Sequence, residues 1–347
     1  LLFAPLEAIV VSYLKFINEC DNDDEEDANP LTVNEQSPLF IYTYAYREEE
    51  QSLCRLEMRS FFGEDTEASL IASPIEVHPD RSPFLKERIE VIYASEQLDE
   101  VVELAKQIHM GDATFKVIFV KTNDLDAADK WDYDRQRGIE RDIGLSIEGE
   151  ADVHRPDVTY GLVTLGGRWY LGYYTKSKAI WLDHMKKPQN YSIALSTRVA
   201  RAVANIAVPK IEGVKVIDPC CGIGTVLVEA LSMGIDIEGS DYNPFIAKGA
   251  RDNVAHFGYV TDVAFSDIAD ITNHYDVAIM DMPYNHFSTS TPEAQFSLLQ
   301  QARRVADKAV IITVDTIDEM IADAGFVIRD RGIVRKSHFI RQVIVCE

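Results

Sequence analysis

The chain has 347 residues, 46% of them hydrophobic, and a formal net charge of -23. That length suits two domains, and the apolar share allows a sizeable core. The charge excludes broad electrostatic attraction to a polyanion, so a nucleic-acid partner would have to meet a local basic patch.

The opening run LLFAPLEAIVVSYLKFI reads as an amphipathic helix. It carries Glu7 and Lys15, is short for a membrane span and lacks the basic start of a secretory signal, so neither is expected. Residues 21–27, DNDDEED, make a solvated acidic linker. Residues 1–37 are thus an N-terminal helix and linker. From Pro38 the character changes. Leu39–Tyr46 is a strand by its aromatic and β-branched content. A helix over Arg47–Phe62 ends at Gly63. A strand at Arg88–Ala94 precedes a helix over Glu96–His109, capped by Ser95, with Leu98, Val101, Val102, Ala105 and Ile108 at helical spacing. Thr114–Lys121 is a strand and Trp131–Leu145 a helix. Val158–Leu165 and Arg168–Thr175 form a hairpin across Gly166-Gly167, which tolerates the positive φ of a tight turn. These short mixed units make residues 38–175 one α+β domain.

Residues 176–191 are a basic connector. A helix then runs from Ser192 to Ala207, with Leu195, Val199, Val203 and Ile206 on one stripe and Arg198, Arg201 and Asn205 on another. Strands at 214–218, 235–240, 263–266 and 275–280 alternate with helices at 225–233 and 244–257. A helix over 292–306, a strand at Ala309–Val314, a helix near 316–323 and two terminal strands, 326–335 and 338–346, complete it. Such alternation predicts an α/β fold, a doubly wound parallel sheet over 176–347, with an antiparallel pair at one edge.

Four motifs fall where strand tips of that sheet would lie. In DPCCGIGT (218–225), Gly222 and Gly224 let backbone approach a ligand before the helix opens at Thr225. The sequence lacks the fuller glycine fingerprint of a pyrophosphate site, and Asp218 would repel phosphate. An acid there suits a cofactor with positive charge, such as the ammonium and sulfonium of S-adenosylmethionine. In GSDYNP (239–244), Asp241 lies at the distance where an acid meets ribose hydroxyls, while Asn243-Pro244 starts the next helix. Asp267 of FSD either accepts from an adenine amino group or caps a turn. In DMPYN (281–285), the Asp281 carboxylate and the Met282 carbonyl could both accept from one planar amino group. Pro283 ends the strand, and Tyr284 offers a ring on which a nucleobase stacks. That pattern suits methylation of an exocyclic amine by positioning.

Cys220 and Cys221 sit in the cofactor turn, and no Cys follows Pro283, which argues against a thiol nucleophile. The five cysteines form no CxxC pair, and the histidines show no metal spacing, so no metal is expected and the setting is read as reducing and cytoplasmic. Basic residues cluster at Arg135, Arg137 and Arg141, at Lys176, Lys178, Lys186 and Lys187, and at Arg329, Arg331, Arg335 and Lys336. Each is either a phosphate-tracking patch or a solvated face.

These motifs resemble those of class I S-adenosylmethionine-dependent methyltransferases of the amino-methylating group. PQNYSIALSTRVARAVANIA (188–207) resembles the segment before the first motif in tRNA guanine-N2 methyltransferases of the archaeal and eukaryotic guanosine-10 type. RDIGLSIEGEADVHRPDVTYGLVTLGGRWYLG (141–172) resembles the end of a THUMP RNA-binding domain. The resemblance implies a THUMP-like domain over 38–175 and a Rossmann-like catalytic domain over 176–347. It implies cofactor binding by Asp218, Gly222, Gly224, Thr225, Asp241, Asn243, Asp267 and Ile268, and catalysis by Asp281, Pro283 and Tyr284. The expected substrate is RNA, with N2 of a tRNA guanine as the acceptor. Adenine-N6 or protein-glutamine methylation, or a non-catalytic RNA-interaction role, are the alternatives. A small activating subunit and the oligomeric state are left open. One departure stands out: Met282 replaces the first proline of the usual Asp-Pro-Pro-Tyr.

Overall fold

The computed structural model describes residues 38–122, 124, 132–190, 194–283, 291–336 and 339–347. The expected helix and linker of 1–37, and the residues Trp131, Ser192 and Tyr284, lie outside these. The chain divides into two compact units.

Among the described residues the first unit takes 38–45, 66–79 and those of 85–177. Its strands are β1 (Phe40–Tyr44), β2 (Leu70–Ser73), β3 (Leu85–Ser95), β4 (His109–Phe119), β5 (Glu148–Ala151), β6 (Val158–Leu165) and β7 (Arg168–Lys176). They form one sheet in the order β2-β1-β3-β7-β6-β4-β5. β4 pairs parallel with β5 and β6, and the other pairs are antiparallel. Every residue of β1 is buried, which is why it reads as a continuous apolar run rather than an alternating one. Gly166 and Gly167 close the β6–β7 hairpin at φ 61° and 73°, the left-handed pair that a two-residue turn requires. Helices Leu98–Ala105 and Tyr133–Ser146 supply Val101, Leu104, Ile139 and Ile143 to one cluster with Phe115, Tyr160 and Leu162. Each such side chain contributes roughly 1.5–3 kcal/mol by leaving water.

The sequence reading shifts here at two points. The helix read over 96–109 spans only Leu98–Ala105. A turn at Lys106–Gln107 ends it, and His109 opens β4 by pairing with Glu148. The buried Ile108 joins the same cluster and extends the apparent period past the real end. β5 escaped notice because its four residues are all exposed and carry no apolar pattern.

The second unit takes residues 46–65, 80–84 and 178–347. Its strands are β8 (Lys215–Asp218), β9 (Asp236–Asp241), β10 (Val263–Phe265), β11 (Tyr275–Asp281), β12 (Ala306–Thr313), β13 (Ile328–Lys336) and β14 (Phe339–Cys346). Their order is β10-β9-β8-β11-β12-β14-β13. The first five are parallel, and β14 runs antiparallel to both of its neighbours. Helices Thr225–Ser232, Pro244–His256 and Pro292–Val305 make the crossovers. This is the doubly wound architecture with an antiparallel edge that the alternation predicted. β12 starts three residues earlier than read, because Ala306 already pairs with Tyr275.

The helix before β8 spans Thr197–Ala207, and of its residues only Arg198 is not buried. Its polar stripe is not a solvent face. Arg201, 1% exposed, donates to Glu229 Oε2 at 2.6 Å, to Ser232 Oγ at 2.8 Å and to the carbonyls of Asp80 and Arg81. Glu229 also meets His184 Nδ1 at 2.7 Å. Asn205 donates to Glu57 Oε1 at 2.7 Å, and burial pushes the Glu57 carboxyl up to about 7 against hydrogen bonds from Ser82 and Asn205. A buried charge left unpaired costs several kcal/mol, so such a network holds its members in one arrangement. This is why residues 46–65 and 80–84, which sequence order places among the strands of the first unit, belong to the second. Helix Gln51–Phe62 lies there, ending at Gly63 with φ 79°. No described helix is long and apolar enough to cross a membrane.

Candidate active site

The parallel strands of the second unit present their C-terminal tips along one edge, and three end in an acid: Asp218 on β8, Asp241 on β9 and Asp281 on β11. All three line a single cavity of 290 Å³. β8 delivers the chain to a turn in which Gly222 adopts φ 55° and Gly224 φ 74°. A Cβ on Gly224 would also sit 3.1 Å from Ala250 Cβ, so the glycine lets the turn press against helix Pro244–His256. Helix Thr225–Ser232 begins directly after.

Asp241 is the organiser of this turn. Its Oδ2 accepts from Gly222 N–H at 3.1 Å and its Oδ1 from Asn243 N–H at 2.9 Å. Asn243 in turn accepts from Phe245 N–H at 3.0 Å and caps its helix. Asp218 Oδ1 accepts from Cys220 N–H at 3.3 Å. Burial pushes the Asp218 carboxyl well up, and the nearby charges of Asp281 and Asp241 push the same way. Burial also raises Asp241, against the two backbone donors. It pushes Asp281 up to about 7, with the Arg341 charge opposing. Three carboxyls that resist ionising together mark a cavity short of positive charge. Asp281 Oδ1 and Thr225 Oγ1 are shut away from solvent with no hydrogen-bond partner among the described residues.

The acceptor end is fixed from behind. Met282 N–H donates to Ile312 O at 2.8 Å, continuing the β11–β12 ladder. Its side chain is 2% exposed and packs with Met280, Leu299 and Ile317. Gln295, on helix Pro292–Val305, donates to Pro283 O at 2.9 Å. A proline at 282 would forfeit the ladder bond. Core packing of Met282 and the Gln295 clamp on Pro283 therefore hold the chain where the usual motif has its first proline.

Of the residues read as functional, the structure brings Asp218, Gly222, Thr225, Asp241, Asn243, Asp281 and Pro283 together around the cavity, with Gly224 in the same turn. Asp267 and Ile268 do not line it. Asp267 accepts from Ala269 N–H at 2.9 Å and caps a short turn, and Ile268 is buried in the core. Tyr284 lies outside the described residues. The sequence reading missed Leu195, Ile223 and Tyr242 on the cavity wall, and Gln295 behind it. Tyr242 could have been found, since it stands between two singled-out residues; Gln295 carries no motif at all. Burial and the adjacent carboxylates raise the Cys220 and Cys221 thiols far above their usual range, so neither is a ready nucleophile. Among the described residues no cluster of His, Cys, Asp or Glu could hold a metal.

The cavity's own chemistry fits S-adenosylmethionine: carboxyls for a cation, an unpartnered hydroxyl at Thr225, and a glycine turn open to close approach. Residues 185–318 match the family model UPF0020, described as the RMKL-like methyltransferase domain. This part of the chain is thus similar to the UPF0020 methyltransferase domain. The domain is also similar to curated proteins. Over 230 residues the chain is 27% identical to a tRNA (guanine(10)-N2)-dimethyltransferase of Methanothermobacter thermautotrophicus, covering 60% of this chain and 67% of that one. Over 118 residues it is 33% identical to the U6 snRNA (guanine-N(2))-methyltransferase THUMPD2 of Mus musculus, covering 32% of this chain and 22% of that one. Among solved structures, TrmN from Thermus thermophilus aligns over 89% of this chain and 99% of its own at 17% identity and a TM-score of 0.44.

Proposed function

We propose that the second unit transfers a methyl group from S-adenosylmethionine to N2 of a guanine in RNA, with tRNA as the substrate. The observation that carries this reading is Asp281. Its Oδ1 is buried and without a partner among the described residues, at a strand tip, in the same cavity as the Asp218 and Asp241 carboxyls. A buried acceptor left unmade costs about 1–3 kcal/mol, and an incoming N–H donor recovers it. The names of the two curated relatives support guanine N2 as the acceptor and RNA as its carrier.

Asp218 and Asp241 would hold the cofactor, accepting from its ammonium and hydroxyl groups, with Thr225 Oγ1 as a further contact. When bound, it supplies an electrophilic methyl on a cationic sulfur. The chain's own part is positional. Asp281 and the Met282 carbonyl accept the two N–H groups of a planar amine, which turns its lone pair toward the methyl. The amine becomes acidic once methylated, and its proton passes to Asp281, whose carboxyl is raised enough to take it. The first unit, with its mixed sheet and the sequence likeness at 141–172, is proposed as a THUMP-like RNA-binding domain. We place the protein in the cytoplasm.

Incubation of the whole protein with unmodified total tRNA and labelled S-adenosylmethionine, followed by nucleoside analysis, tests the proposal. N2-methylguanosine is the expected product. N6-methyladenosine, or label entering protein and not RNA, would overturn it.

A further inference from the structure

A second cavity, of 470 Å³, opens in the same unit and shares no lining residue with the first. The two are neighbours. Ala194 and Leu195 line the acidic cavity, and the next residues in the chain, Ser196–Val199, line the second. Sheet register gives the same result. Asp281 is level with Ile312 on β12, which pairs with Val343 on β14. Arg341 lies two residues further toward the strand tips, and it pairs with Val334, beside Arg335. The charge of Arg341 already reaches Asp281.

The second cavity differs from the first in sign. Arg47, Arg335 and Arg341 line it. Arg47 and Arg335 are exposed, and neither forms an ion pair with a described residue. Its fourth arginine, Arg198, is committed elsewhere: it binds Glu50 at 2.8 Å and lies 5.0 Å over the Trp181 ring. With Arg198 and Glu50 cancelling, Arg47 and Arg335 stand against one acid of the lining, Glu49. In a chain of net charge -23, such a concavity beside the acceptor carboxylate is not a by-product of composition. Guanidinium groups suit phosphate oxygens, which they grip through paired N–H donors.

We infer that this cavity holds the backbone phosphates of the substrate RNA next to the nucleotide being methylated, with Arg47 and Arg335 as the contacting residues. The inference rests on the reading of RNA as substrate. It divides the labour along one sheet edge: the acidic cavity takes the cationic cofactor and the amine, the basic one takes the polyanion. Arg341 lines the basic one, and its charge is felt at Asp281 in the acidic one.

The test is salt-dependent binding of a fluorescent unmodified tRNA transcript to the full chain, with cofactor affinity measured on the same samples. Arg47→Ala with Arg335→Ala is expected to weaken RNA binding by roughly ten-fold or more. It should also flatten the log–log salt slope by about 1.4–1.8, as for two lost phosphate contacts. Cofactor affinity should stay within two-fold. Arg47→Lys with Arg335→Lys keeps the point charges and should keep the slope. Unchanged RNA affinity and slope in the alanine variant, or a slope lost in the lysine variant, would overturn the inference. So would equal loss of binding to a polyglutamate peptide that the wild type holds as tightly as RNA. Wild-type protein that binds RNA through these arginines but methylates none would sink the functional reading and leave only the phosphate contacts of Arg47 and Arg335 standing.

Discussion

The two cavities of the second unit sit on the same edge of one sheet and are built in opposite ways. The acidic one is made by the tips of β8, β9 and β11, parallel strands whose last residues are Asp218, Asp241 and Asp281. The basic one is lined by Val334, Arg335 and Arg341 of the antiparallel edge, by the segment around Arg47, by Trp181, Leu182 and Met185, and by Ser196–Val199. Global charge predicts neither. A net charge of -23 argued against a polyanionic substrate, yet the charge that matters to such a substrate is local. Parallel tips converge on a cofactor because each strand ends where the next crossover begins; the antiparallel pair has no crossover there and is free to carry arginines outward.

The contrast breaks most sharply at Asp281. Asp281→Ala is expected to lower kcat by roughly 10²–10³-fold while RNA binding holds, since it removes an acceptor and leaves the arginines in place. Asp218→Asn works on the other half of the acidic cavity. Calorimetric titration should show cofactor affinity falling roughly 10–100-fold, as for a lost charge-assisted hydrogen bond. Met282→Pro removes the N–H that binds Ile312 O, and Gln295→Ala removes the clamp on Pro283. Each is expected to lower kcat about ten-fold, with cofactor affinity little changed.

The smallest effect concerns stability. Burial raises the Asp281 carboxyl to about 7, so the folded cofactor-free protein holds that proton more tightly than the unfolded chain does. Its contribution to stability is therefore full below about pH 4 and is lost as pH rises toward 7. Asp281→Asn stays neutral throughout. It should raise Tm at pH 8 by roughly 4–8 °C, for about 2 kcal/mol, and change it little at pH 4. A variant equally stabilised at both pH values would show that Asp281 is not held in an ionisation-hostile site.

Much of the parallel sheet was legible because strands alternate with helical stretches and three of them, β8, β9 and β11, end in an acid. The site was legible as far as those tips: Asp218, Gly222, Asp241 and Asp281 could be named from spacing alone. What lay hidden depends on tertiary partners. The Arg201–Asn205 stripe reads as a wet face until Glu229 and Glu57 are seen to bury it. Asp241 reads as an acid for ribose, and its second task, one backbone N–H on each oxygen from Gly222 and Asn243, shows only in the fold. Gln295 looks like any helix glutamine, and β5 carries no apolar signal at all. Residues 46–65 join the second unit through buried polar bonds that no local pattern announces.

The central claim is that Asp281 is the acceptor for an RNA guanine amine. Single-turnover methylation of unmodified tRNA by wild type and by Asp281→Asn, each saturated with S-adenosylmethionine and read by nucleoside analysis, tests it most directly. The expected result is N2-methylguanosine from the wild type, and a rate at least 100-fold lower from the variant with cofactor and RNA affinity retained. Equal rates of N2-methylguanosine formation in the two proteins would contradict it.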